Sequence, residues 1–200
     1  MKDNMLKSDT FRKFGFYSWS KMMRGAFFNA TFRPVFTLRL CQKTQHGPLK
    51  LLHIPFKILH RFASHLAGIE LPSATQIGAG FVLTHGRGVV INQGASIGRN
   101  VTLFHGVTLG QADRIAKDGS RLTEFPTIED DTWIGPHAII VGGVTIGKGS
   151  RIAGGAFVTD DIPAYSLVIG NPAKIVKSNC TPDVTNRIPL EDEDEVTSSL

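Results

Sequence analysis

The sequence predicts a mainly β fold: a parallel solenoid of three-sided coils, preceded by a short α-helical region and followed by an acidic tail. Three observations predict it. An aliphatic residue recurs about every six positions from residue 77, glycine is abundant at 21 of 200 residues, and residues 1–70 lack the rhythm.

The head comes first. Residues 1–70 carry twelve Lys and Arg against three acids. The segments FFNATFRPVFTLRLCQ (27–42) and LKLLHIPFKILHRFASHLAG (49–68) read as helical, with interruptions expected near Pro34, Gly47-Pro48 and Pro55. The second segment places Leu51, Leu52, Ile58, Leu59 and Phe62 on one side, with Lys50, Lys57 and Arg61 elsewhere. An end coil of a solenoid must be capped, so packing against the first coil is the default expectation. Contact with the inner face of a membrane is the second reading of a basic, partly apolar head.

The solenoid follows, over residues 71–178. Its units begin Ile77-Gly78, Ile91-Asn92, Ile97-Gly98, Leu103-Phe104 and Leu109-Gly110. They resume as Ile128-Glu129, Ile134-Gly135, Ile140-Val141, Ile146-Gly147, Ile152-Ala153 and Val158-Thr159. The fifth position is small or β-branched: Ala95, Val101, Val107, Thr132, Ala138, Val144, Ser150 and Ala156. One unit, Leu83 to Val90, is two residues longer. A period of six is neither the two of a strand nor the 3.6 of a helix. It suits short strands joined by corners, three to a coil, with aliphatic side chains stacked inward and coils roughly 4.8 Å apart.

The stretch 111–127 breaks the period with charges, a glycine and a proline, and is expected to leave the solenoid wall as a loop. The body is nearly neutral, with nine cations and eight acids over residues 71–179. The tail, 179–200, ends EDEDEVTSSL and is expected to be disordered. Cys41 and Cys180 lack metal-ligand spacing and read as free thiols of a reducing compartment. No apolar run approaches the ~20 residues that span a bilayer, and no signal-peptide pattern opens the chain. A cytoplasmic protein is expected, with possible association at the inner membrane face. No nucleic-acid module is visible.

Two histidines stand out. His85 is the third residue of its unit and His105 the third of the next coil's unit, which places them on one edge, roughly 5–7 Å apart. His137, the fourth residue of its unit, is expected on another side. A neutral imidazole is well matched to removing a hydroxyl proton near neutral pH. A carboxylate on its far nitrogen would fix the tautomer, and Glu70 is the candidate.

The segments LTHGRGVVINQGASIGRNVTLFHGVTLG (83–110) and IEDDTWIGPHAIIVGGVTIGKGSRIAGGAFVTDDIPAYSLVIGNPAKIV (128–176) resemble the hexapeptide acetyltransferases. The likeness covers about residues 69–178 and is strongest to serine acetyltransferases and to the acetyltransferases of capsule, colanic acid and O-antigen synthesis. It implies a left-handed parallel β-helix (a hexapeptide solenoid), acetyl-CoA as donor, and a homotrimer with active sites between subunits. By resemblance His85 falls on the catalytic histidine, with Thr84 where serine acetyltransferases have an aspartate, and Glu70 on the supporting carboxylate. Gly110, Pro136, Gly154, Thr159 and Lys174 fall on positions that contact coenzyme A. Lys174 would meet a phosphate, although Asp160 stands where relatives often carry a lysine.

Two departures bear on the acceptor. Serine acetyltransferases have a histidine where this chain has Phe125, and another where it has Pro72. Phe125 and Arg87 are the substrate-binding candidates; Phe125 either offers the aromatic face on which sugars stack or anchors the loop. These departures favour a saccharide acceptor, with serine O-acetyl transfer in cysteine biosynthesis as the alternative. A metal-dependent hydratase on the same scaffold is discounted because it needs three converging histidines. A catalytically dead scaffold is disfavoured by the intact His85 and GNPAKIV motif. Both cysteines lie outside the motifs, so direct attack of acceptor on thioester is expected, with His105 in an auxiliary role.

Overall fold

The computed structural model describes residues 4–190. Four helices form the head: α1 (Met5–Phe14), α2 (Trp19–Phe28), α3 (Phe32–Thr44) and α4 (His53–Ala67). Side chains start the first two, Asn4 accepting from the Lys7 amide and Ser18 from the Lys21 amide. Pro34 and Pro55, expected to interrupt helices, lie instead at the third residue of α3 and of α4. The amide at that position has no partner within its own helix, so proline loses nothing there. Helix α1 and most of α2 lie outside the segments read as helical, and the face that α1 buries is polar, with Asp9, Thr10 and Arg12.

The solenoid has three parallel faces. Strands Gln76–Ile77, Ser96–Ile97, Thr127–Ile128 and Thr145–Ile146 make the first. Val82–Thr84, Thr102–Phe104, Trp133–Ile134, Arg151–Ile152 and Leu167–Ile169 make the second, closed by antiparallel Lys174–Lys177. Val90–Ile91, Thr108–Gly110, Ile139–Val141 and Phe157–Val158 make the third. The register puts the aliphatic rhythm into three columns: Ile77–Ile97–Ile128–Ile146, Leu83–Leu103–Ile134–Ile152–Val168 and Ile91–Leu109–Ile140–Val158. Every member is buried. Each contributes about 1.5–3 kcal/mol of hydrophobic stabilisation. The six-residue period thus specifies the three columns, and the head adds Val35, Leu38 and Ala67 to the same buried core.

Residues 111–127 are not an irregular loop throughout. Ala112–Ile115 and Arg121–Glu124 pair as an exposed antiparallel hairpin that leaves the edge between the third and first faces.

The head caps the first coil through charge as well as apolar contact. Asp9 and Arg39 form a fully buried ion pair at 2.7 Å. Asp9 also accepts from the amides of Gly80 (2.8 Å) and Phe81 (3.0 Å), while Arg39 donates to the carbonyls of Ile77 (2.7 Å) and Gly78 (2.6 Å). The orphan backbone groups of the terminal coil are thereby satisfied. In α4 the expected orientation is reversed. His60, Ala63, Ser64 and Ala67 face inward, and His60 Nε2–H donates to the Leu71 carbonyl at 2.7 Å. Leu51, Ile54, Ile58, Phe62 and Leu66 face outward, Leu51 being 91% exposed. That inward face of α4 packs chiefly on α3, where the Thr37 hydroxyl lies 2.9 Å from His60 Nδ1, and its small residues allow the close approach.

The tail departs from expectation too. Residues 181–190 climb the edge between the first and second faces, where Arg187 pairs with buried Asp131 at 2.7 Å and Ile188 and Leu190 are buried. The acidic run 191–195 lies outside the described residues. No helix among the described residues is long and apolar enough to cross a membrane.

Candidate active site

The site forms on the edge where the second face turns into the third. At that corner each coil needs a left-handed residue: Gly88 (φ +73°), Gly106 (+67°), His137 (+58°) and Gly155 (+72°) occupy successive rungs. The residue before each is Arg87, His105, Pro136 or Gly154. The carbonyls of Arg87, His105 and Pro136 accept from the amide of the next coil's left-handed residue at 2.9, 2.9 and 2.8 Å. Arg87, not His85, is therefore in backbone register with His105.

His85 belongs to the two extra residues of the long unit. They push the corner outward, leaving His85 exposed at φ +52°. The bulge is pinned from behind. The Gly88 amide donates to Gly68, the residue that ends α4, at 2.7 Å. A side chain on Gly86 would meet Ile69 at 3.1 Å and Thr31 at 3.5 Å. The head thus shapes the corner that presents His85.

The His85 and His105 ring centroids are 6.3 Å apart with planes at 83°, so the expected proximity holds. His105 is half-buried, and its Nδ1 is buried without a hydrogen-bond partner. The expectation for His137 fails. It stands on the same edge, with its ring 4.9 Å from His105 at 89°. The corner takes both the third and the fourth positions of a unit, a signal that was present in the sequence. The spacing argument against a metal site falls with it, although among the described residues no group of three or more His, Cys, Asp or Glu side chains has a geometry that could hold a metal ion.

The other candidates divide. Arg87, Pro136 and Gly154 share the histidine edge, and a side chain on Gly154 would come within 3.0 Å of the Pro136 carbonyl oxygen. Gly110, Phe125 and Thr159 lie toward the next edge, between the third and first faces. Gly110 ends a third-face strand, and the Thr159 hydroxyl is 3.2 Å from Asp160. Lys174 is exposed on the closing strand. Glu70 is not joined to His85. Its backbone bridges to Val90, and its exposed carboxylate makes no ion pair or side-chain hydrogen bond among the described residues. It lines a groove of about 1040 Å³ between α4 and the first coil, with Arg61, His65, Pro72 and Gln93.

Phe125 is half-buried, its ring lying on the Gly94 α-carbon so closely that any side chain there would meet it at 2.6 Å. The aromatic face offered for stacking a sugar is thus occupied in anchoring the hairpin.

Comparison with known proteins places this scaffold. The profile of the family "Bacterial transferase hexapeptide (six repeats)" matches residues 125–160. The serine acetyltransferase of Helicobacter pylori (strain 26695) is 33% identical over 138 residues, which is 68% of this chain and 78% of that protein. The Bacillus licheniformis serine acetyltransferase is 40% identical over 123 residues, 62% of this chain and 55% of that protein. Among solved structures, the Brucella abortus serine acetyltransferase in complex with coenzyme A superposes with a TM-score of 0.69 at 27% identity, covering 88% of this chain and 68% of that one. The Neisseria gonorrhoeae serine acetyltransferase in complex with serine gives 0.67 at 27% identity, covering 86% and 68%.

The fold is a left-handed β-helix of the hexapeptide transferase class. The chain belongs to the acetyltransferase family represented by these serine acetyltransferases. It spans slightly more than half the length of its Bacillus relatives, 54–57%. The expected saccharide acceptor, and with it a role in polysaccharide synthesis, is overturned: the relatives and structures named above are serine acetyltransferases.

Proposed function

We propose that this chain is an acetyl-CoA-dependent serine O-acetyltransferase, forming O-acetylserine and coenzyme A. The observation that carries the reading is an exposed imidazole, His85, on an outward-bulged corner above a run of small residues along the same edge, in a chain of this family. His85 takes the serine hydroxyl proton as the oxygen attacks the thioester carbonyl carbon. The tetrahedral intermediate then collapses and expels the coenzyme A thiolate. Transfer is direct: burial pushes the Cys41 thiol up to about 11, and Cys180 lies against Tyr165 on a different edge.

Arg87, exposed beside His85, is suited to receive the serine carboxylate in a bidentate pair. It stands in for charge partners lost at Phe125 and Pro72. Glu70 takes no part in this reading, because the structure places it apart from His85, in the groove beside α4. Pro136 and Gly154 line the path of the pantetheine arm, and Lys174 meets a phosphate of coenzyme A. Gly110, Phe125 and Thr159 lie one edge away and act across the interface of a homotrimer. The membrane contact expected of the basic head gains no support from the comparisons and forms no part of this reading.

The test is thiol release from acetyl-CoA on adding L-serine. Saturable, serine-dependent release with O-acetylserine as product is expected. Release that ignores serine would overturn the proposal.

A further inference from the structure

Of the four rungs on the histidine edge, three hold glycine in the left-handed conformation and one holds His137 at φ +58°. A side chain there incurs a backbone cost that glycine does not, and such outliers gather where the surrounding structure uses them. The use is visible in the packing. The His137 ring lies against the α-carbon of Gly106, so that a side chain on Gly106 would fall 2.3 Å from His137 Nδ1. Gly106 must stay bare for the ring to reach across. Having crossed, the ring meets His105 edge to face at 4.9 Å, while His85 meets the other side of the array at 6.3 Å.

His105 needs such a neighbour. Its buried Nδ1 has no hydrogen-bond partner to set the ring's orientation. Packing against His137 supplies what a hydrogen bond would otherwise supply.

We propose that His137 is a positioning residue for acetyl transfer, holding the His105 ring so that it stands beside His85 and faces the acceptor. The inference rests on the reading of His85 as the base. His137 acts only through His105, which gives it a distinctive signature.

The experiment is a double-mutant cycle with His137→Gly and His105→Gln, assayed by serine-dependent thiol release. Glycine suits the left-handed rung, so H137G should melt no lower than the parent protein. It should lower kcat roughly tenfold, as expected for a displaced group at a reacting centre, and leave the KM for acetyl-CoA within about twofold. The C2–H proton resonance of His105 should shift in H137G. In the H105Q background H137G should have no further effect. Unchanged kcat in H137G, or effects that add in the double variant, would overturn the proposal while leaving the serine acetyltransferase reading intact. A parent protein without serine-dependent release, or an H85A variant at full rate, would bring down that reading and this inference together.

Discussion

His85 occupies a backbone conformation that side chains rarely adopt, on a corner lengthened by two residues. The consequence is exposure, which a general base needs if a second molecule's hydroxyl is to reach it. His85→Ala should lower turnover by roughly 10²–10⁴-fold while coenzyme A binding, measured by calorimetry, is retained. Lys13 lies behind the same segment and donates to the Leu83 carbonyl at 2.7 Å. Burial pushes its ammonium down to about 8 from the ordinary 10.5. Unfolding then takes up a proton between those values, so the cost of burying the charge is full below pH 8 and fades as pH rises to 10.5. Thermal melts of K13M and the parent protein should show the parent gaining stability relative to K13M across that window. A constant difference would contradict the assignment.

At the scale of elements, charge does different work in different places. The Asp9–Arg39 pair joins α1, α3 and the first coil out of contact with water. Asp9→Asn leaves Arg39 uncompensated and should cost about 3–5 kcal/mol in denaturant unfolding. The hairpin carries pairs of the same type, Arg121–Asp113 at 2.6 Å and Arg114–Glu124 at 3.1 Å, but their arginines are 64% and 66% exposed. Arg121→Ala should therefore change stability by less than about 1 kcal/mol. The elements differed in how legible they were. The solenoid strands could be read because inward aliphatic residues recur at a fixed interval. The orientation of α4 could not, since its apolar stripe was assigned to the solenoid while the close approach of α3 selected the face with Ala63 and Ala67.

For the whole molecule, the distribution of the proposed site residues points to assembly. His85, Arg87, His105, Pro136 and Gly154 share one edge, whereas Gly110, Phe125 and Thr159 lie toward the next. Two edges of one prism cannot face a single ligand, but edges of neighbouring prisms can. Sedimentation equilibrium should therefore give three times the 21.8 kDa chain mass. A monomer with full serine-dependent turnover would show that one edge suffices. Helix α1 and the segment 181–190 meet on the edge between the first and second faces, where the Asn186 side-chain amide donates to the Arg12 carbonyl at 3.2 Å.

The amino-acid order by itself determined the coil, its three columns of aliphatic residues, the edge bearing His85 and His105, and the excursion at 111–127. All of these follow from a local period that repeats faithfully enough to be counted. Tertiary structure alone decided that Phe125 is held by Gly94, that Glu70 stands apart from His85, and that residues 181–190 strap the coils. Each of those depends on which rung of one coil lies over which rung of the next, and on how closely two backbones approach. Such contacts join residues far apart along the chain, and no period within it encodes them.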